Sequence, residues 1–327
     1  MTPRRLFWAA FAALAAWNHR GVLPHLGADA LPAAGLILLR TFVAASVLLM
    51  ARAAGHAVLR RARFDFADAT EAFVLEAGLG LALLHHLLFA LGLLGLWTPP
   101  VFIALLLLGL YPAFTALPRL EVPRFDDRLA ALLAVPITLA ALKALLSANA
   151  PVGDWDSLAI HMEMPRLYAR DGAFTAVTWL LRGMDTLAAG LFYVPALALD
   201  DEESAAMVMV VFQALMALLL WSAGRRLAGP RPTLAAVALF LVMPAVTDAS
   251  GTPATDLMVG FYGMASFWAA WRAREAGRGW LALSGVLAGM AVATKISGHL
   301  LAAALLPFIL ARRDRKGAAF WLAGAAM

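Results

Sequence analysis

Ten apolar runs, each bounded by polar or charged clusters, dominate the pattern of the chain. They fall at about 5–18, 31–51, 70–96, 99–118, 129–148, 204–223, 232–248, 254–272, 280–294 and 296–311. A helix needs roughly 20 apolar residues to cross a bilayer, with tolerance for tilt and for short spans. The pattern therefore predicts an all-α fold: a polytopic helical membrane protein of about ten spans, with a loop of amphipathic helices between the fifth and sixth. Arg4 and Arg5 precede a run ending at Trp17 without a small-residue cleavage site, which predicts an uncleaved first span. A further apolar run opens at Phe320 and reaches Met327, as the start of an eleventh span would.

One segment resists the pattern. Thr186 to Leu199 is apolar, yet Pro195 interrupts it and four acids, Asp200 to Glu203, follow it. Its length allows only about 20 Å of helix, so a helix on or dipping into one face is expected rather than a crossing.

Composition agrees with a membrane protein. Of 327 residues 63% are hydrophobic and 14% charged, with a mean hydropathy of +0.80, and a soluble domain of that make-up would expose large apolar patches. The net charge of +5 would suit nucleic acid, but the placement of the cations explains it better. With the spans as drawn, 19 of the 26 Lys and Arg residues lie on one side. They include Arg52, Arg60, Arg61 and Arg63, then Arg119, Arg124 and Arg128, Arg225, Arg226 and Arg231, Arg272, Arg274 and Arg278, and Arg312 to Lys316. The positive-inside rule makes that side cytoplasmic. The opposite side collects Asp29, Asp154, Asp156, Glu163, Asp171, Asp185, the acids at 200–203, Asp248 and Asp256. Nucleic acid is not an expected partner. The chain has no cysteine, which removes disulfides, thiolate nucleophiles and Cys-ligated metals.

The acid-rich side holds the longest non-spanning stretch, Pro151 to Gly172, PVGDWDSLAIHMEMPRLYARDG. Asp154 and Asp156 flank Trp155, and His161 lies four residues beyond Ser157, on one helical face with it. One of the two acids suits an N-cap; both together with His161 suit a general base with supporting polar groups. Asp256 opens the eighth run, where a carboxylate also suits the helix dipole. Lys295 separates the last two runs, placed either to snorkel or to hold an anion at a helix break. Within the spans, Arg40 and Glu76 are the expected structural ion pair, and His85 and His86 are adjacent, a poor spacing for a metal on a helix.

Three pieces in this order resemble the GT-C superfamily of membrane glycosyltransferases, specifically the bacterial group similar to protein mannosyltransferases that use polyprenyl-phosphate sugars. They are Asp154-Trp155-Asp156 through His161 to Pro165, Tyr168 and Gly172; Thr255-Asp256-Leu257; and Thr294-Lys295-Ile296-Ser297-Gly298. Ile160 stands where that family usually has Tyr, and Arg182 to Thr186 departs from its polar, Pro-containing segment. The resemblance implies two regions: N-terminal transmembrane helices at 1–124 and a GT-C-like catalytic region at 125–327 that runs on past the chain's end. It implies Asp156 as general base, with Asp154, His161, Arg166, Asp256 and Lys295 binding substrate and the cation of Lys295 on the donor phosphate. The implied partners are a polyprenyl-phosphate-linked sugar donor, a lipid, glycan or protein acceptor, and membrane lipids. No cofactor is implied, and a divalent metal is left open. The implied place is a bacterial inner membrane with an extracytoplasmic active face. The rival classes are a secondary transporter or flippase-like protein using Arg40, Glu76 and His85 at the midplane, and a noncatalytic scaffold. Convergence of Asp156, Asp256 and Lys295 would favour the transferase.

Overall fold

A computed structural model describes residues 5, 9, 30–115, 128–175, 188–312 and 314–326. The first predicted span apart from Arg5 and Ala9, together with Arg4, Arg20, Asp29, Arg119, Arg124, the stretch Arg182 to Thr186, Arg313 and Met327, lies outside the described residues.

The described residues are helical throughout, in the order α1 Ala30–Arg61, α2 Ala69–Leu93, α3 Pro99–Thr115, α4 Arg128–Ala148, a π turn at Ser157–His161, α5 Glu163–Asp171, α6 Ala188–Leu199, α7 Glu202–Ala228, α8 Pro230–Val242, α9 Pro244–Ala249, α10 Asp256–Ala276, α11 Gly279–Thr294, α12 Ser297–Ala311 and α13 Arg315–Ala325. Four of these, α1, α2, α4 and α7, are long and apolar enough to cross a membrane. Helices α3, α6, α8, α11 and α12 are shorter apolar helices. The protein is a helical membrane protein, and the predicted runs from residue 31 onward each map onto one of these helices except 232–248. That run breaks at Met243, whose extended backbone precedes Pro244 and separates α8 from α9, as the residue before a proline is biased to do.

The antiparallel course of the helices gives the bundle two faces. A basic face gathers the α1–α2 loop and the C-terminal ends of α7 and α10; an acid-rich face gathers the ends of α4 and α6 and the starts of α7, α10 and α12. Close approach is set by glycines. A Cβ on Gly55 would fall 1.9 Å from the Glu76 carbonyl oxygen, and one on Gly80 1.6 Å from that of Ala51, so only glycine lets α1 and α2 cross there. Gly285 and Gly289, four apart on α11, meet Trp321 and Ala325 of α13 in the same way. Where polar groups enter that contact they are paired: Ser266 Oγ donates to the Ser284 carbonyl at 2.7 Å, and Trp321 Nε1 donates to Ser284 Oγ.

Two electrostatic expectations change. Arg52, expected in a basic loop, lies inside α1, because Glu76 accepts from its Nε at 2.8 Å and also bonds His56 Nδ1 at 2.6 Å. Glu76 is therefore not the partner of Arg40. Helix α1 has 32 residues, about 48 Å at 1.5 Å per residue, so Arg40 stands near the acid-rich end and not at mid-span. There its Nε donates to Asp200 at 2.8 Å, its Nη2 to Asp201 at 2.5 Å and its Nη1 to Asn149 at 3.3 Å. Trp97, just past the end of α2, is 1% exposed. Its indole N–H donates to the Leu88 carbonyl, and its ring packs 5.4 Å from Tyr168 and 4.6 Å from Phe174.

Candidate functional site

The loop after α4 begins extended, and Asp154 starts its first helical turn. Asp154 Oδ2 accepts from the Ser157 amide at 2.8 Å, while Asp156 makes no capping hydrogen bond. The N-cap expected of one of these acids is thus made by Asp154. The next turn is π-helical rather than the α-turn expected, closed by Met162 N–H donating to the Ser157 carbonyl at 2.9 Å. Such turns insert one residue into a helix and recur at functional sites. Helix α5 follows and ends at Gly172, left-handed at φ 72°, a C-cap for which glycine carries no Cβ penalty. The Gly172 carbonyl accepts from the Trp97 amide at 2.9 Å, so the α2–α3 turn anchors the far end of the loop.

From the other side, Tyr193 on α6 is buried, and its hydroxyl donates to the Ala254 carbonyl. This bond fixes the approach to Asp256 at the start of α10, and the first half of α6, the segment expected to lie on or dip into one face, is buried. Lys295 sits in the break between α11 and α12 with an extended backbone. The break is tight because a Cβ on Gly298 would fall 2.0 Å from the Ala291 carbonyl oxygen, and Gly298 N–H donates back to the Lys295 carbonyl at 2.8 Å.

These elements meet. Lys295 Nζ lies 2.7 Å from Asp256 Oδ1, with the two side chains 37% and 59% exposed. His161 feels both: burial first and then Lys295 hold its imidazole below the usual range, against the opposing influence of Asp256, Asp156 and Asp154. Its neutral form is the one that both burial and the neighbouring ammonium favour. Five of the six sequence candidates therefore share one electrostatic neighbourhood. Arg166 is engaged elsewhere, by Glu202 and, at 3.8 Å, by Glu163. It lines a cavity of about 440 Å³ with Arg170 and the acids at 200–203.

Sequence reasoning gave no site role to Ser157 or Thr255. Asp154 Oδ1, Ser157 Oγ and Thr255 Oγ1 are buried with no hydrogen-bond partner among the described residues. Buried polar atoms are nearly always satisfied, and these three lie at the first turns of the loop helix and of α10, next to the charged cluster. Their only sequence signal is adjacency to the candidate acids.

Residues 189–327 match the family of dolichyl-phosphate-mannose-protein mannosyltransferases. This part of the chain is similar to that family. The matched segment contains Asp256 and Lys295, whereas Asp154, Asp156, His161 and Arg166 precede it. No curated protein and no solved structure matches the chain. The family match points to membrane glycosyltransferase activity in general. The midplane contacts of a transporter are weakened independently, since Arg40 stands at one face and Glu76 is tied to Arg52 and His56.

Proposed function

We propose that the protein transfers a sugar, with inversion, from a polyprenyl-phosphate donor to an acceptor hydroxyl at the acid-rich face, and that this face is extracytoplasmic in a bacterial inner membrane. The observation that supports the reading is the Lys295–Asp256 ion pair beside His161, because it brings a cation, a carboxylate and a histidine together at the acid-rich face.

In the proposed reaction Asp156 accepts the proton of the acceptor hydroxyl as its oxygen attacks the anomeric carbon. The bond from that carbon to the phosphate oxygen breaks, and polyprenyl phosphate leaves with the electron pair. Asp156 suits the base because, unlike Asp154, no capping bond occupies its carboxylate. Lys295 meets the charge on the departing phosphate, where a fixed cation stabilises the transition state more than the ground state. Asp256 holds Lys295 in place before donor arrives. Neutral His161 can donate or accept a hydrogen bond to a sugar hydroxyl, and Asp154, Ser157 and Thr255 supply further polar contacts. Arg166 joins the donor phosphate only by leaving Glu202. The acceptor is a lipid, glycan or protein hydroxyl.

The test uses purified protein and radiolabelled polyprenyl-phosphate sugars. A desolvated charge-assisted contact is worth about 1.5–3 kcal/mol, so Lys295→Met should raise the donor requirement steeply and Lys295→Arg should recover part of it. Donor dependence unchanged in Lys295→Met would return this residue to a snorkelling role. Sidedness has its own check in this cysteine-free chain: cysteines at Ala173 and Ala318 should react with an impermeant thiol reagent from opposite sides of the membrane. Labelling of both from outside would overturn the assignment.

A further inference from the structure

The basic face carries a second built site. A cavity of about 720 Å³ opens between the α1–α2 loop, the end of α7 and the α10–α11 turn, within the size range of small-molecule pockets. Its floor is Arg272, 5% exposed, whose Nε donates to Glu71 at 2.9 Å and Nη2 to the Asp65 carbonyl at 3.2 Å. The guanidinium lies 4.8 Å from the centre of the Trp280 ring. Phe64 and Phe66 stand 5.3 and 5.7 Å from the same ring and complete an aromatic wall.

Two details point to an anionic ligand. The first is Glu275, whose Oε2 takes one hydrogen bond from Arg226 at 2.7 Å and another from Arg272 at 3.1 Å. An acid that is 56% exposed thus sits where an oxyanion bridging two arginines would sit, and being exposed it can leave at little cost. The second is Arg63 on the rim. Phe64 N–H donates to the Leu59 carbonyl at 3.0 Å, so Arg63, at φ 56°, holds the left-handed position of a helix C-terminal motif that glycine ordinarily fills. An arginine kept there at a conformational cost lines the cavity and adds a guanidinium to its mouth.

We propose that this cavity binds the phosphate of an anionic phospholipid headgroup from the leaflet that meets the basic face. Arg226, Arg63 and Arg272 take the phosphate after Glu275 swings out, and the aromatic wall packs against the glycerol region, the depth at which aromatic side chains concentrate in membranes. A lipid is favoured over a soluble phosphate compound because of that wall and because the rim lies among further basic residues, Arg60, Arg61 and Arg274, which attract an anionic leaflet. The site is at the opposite end of the helices from the Lys295 cluster and does not depend on the transferase reading.

The full chain in detergent is titrated with phosphatidylglycerol or phosphatidylcholine and the retained lipid is read by native mass spectrometry. Wild type should hold one phosphatidylglycerol at least tenfold more tightly than phosphatidylcholine. Arg63→Ala and Arg226→Gln should each remove most of that preference, and Glu275→Gln, by removing the internal competitor, should increase it. That gain is a direction no merely structural role produces. Lys143→Gln and Arg170→Gln, exposed cations at the opposite face, serve as controls and should change it less than twofold. Equal retention of the two lipids by wild type, or cavity variants no weaker than the controls, would overturn the proposal. Inorganic phosphate that binds the wild type in lipid-free detergent and abolishes phosphatidylglycerol retention would reassign the cavity to a soluble phosphate ligand.

Discussion

Two charged clusters at opposite ends of the bundle, Glu71 with Asp68 and Asp256 with Lys295, treat charge in opposite ways. At the basic face Glu71 is 0% exposed, and it accepts from Trp268 Nε1 at 2.7 Å, from Arg272 Nε at 2.9 Å and from the Ala67 amide. Asp68 beside it caps α2 through the Thr70 and Glu71 amides, takes a bond from Ser222 and pairs with Arg225 at 3.1 Å. Around Lys295 the groups are open: Asp256 is 59% exposed, and buried oxygens of Asp154, Ser157 and Thr255 have no partner among the described residues. Desolvating a charge is costly unless each lone pair and proton is met. A buried and fully met cluster holds the fold, whereas the open cluster around Lys295 is the one proposed to bind substrate. The two clusters should therefore respond to mutation in different currencies, stability for Glu71 and activity for Lys295.

The largest stability effect is expected at the basic face. Arg272→Met leaves Glu71 charged and buried, a loss of about 3–5 kcal/mol, visible as a lowered unfolding midpoint in detergent. A loss below about 1 kcal/mol would mean that the network is not structural. Asp154→Ala comes next, because it removes an N-cap worth about 0.5–2 kcal/mol, while Asp154→Asn should retain most of that stability; equal destabilisation by both would separate Asp154 from the cap. Smaller still, Asp256→Asn should change unfolding by no more than about 1 kcal/mol, the range for an exposed ion pair, even where it impairs transfer. A large unfolding effect there would erase the contrast between the two clusters.

The smallest effect concerns pH. The folded state holds the His161 proton less tightly than the unfolded chain, so below the ordinary imidazole value of about 6.5 the unfolded state binds more protons. Stability should then fall as pH drops from 6.5 toward the lower folded-state value, and should be level above it. Unfolding compared at pH 7.5 and 5.5 should show a larger acid-side loss in wild type than in His161→Gln, and the reverse order would contradict the environment described for this histidine.

Much of this was legible in the sequence because bilayer physics writes itself in apolar runs. The helices of α2, α4, α7 and α11 begin and end within a few residues of their runs. What was not legible follows from partners distant in the chain. The apolar run from 31 ends at residue 51, yet α1 continues to Arg61 because Glu76 on the neighbouring helix neutralises the intruding Arg52 and also bonds His56, one turn further along α1. The true length of α1 then moved Arg40 to one face and changed its partner from Glu76 to Asp200 and Asp201. The packing of Trp97 against Tyr168 and Phe174 is likewise a contact between distant residues. In the candidate site, residue types and order picked out Asp154, Asp156, His161, Asp256 and Lys295. The π turn, the ion pair of Lys295 with Asp256 and the diversion of Arg166 to Glu202 depend on geometry that spacing does not carry.

The most direct test of the contrast is Asp156→Asn, measured for both transfer and unfolding in the same preparation. Asparagine keeps the size and the capping ability of aspartate but cannot take up a proton at neutral pH. If Asp156 is the general base, transfer from a polyprenyl-phosphate sugar should fall about 10²- to 10⁴-fold with the unfolding midpoint unchanged. Near-normal transfer by Asp156→Asn would remove this residue from the chemistry and leave Asp256 as the next candidate base.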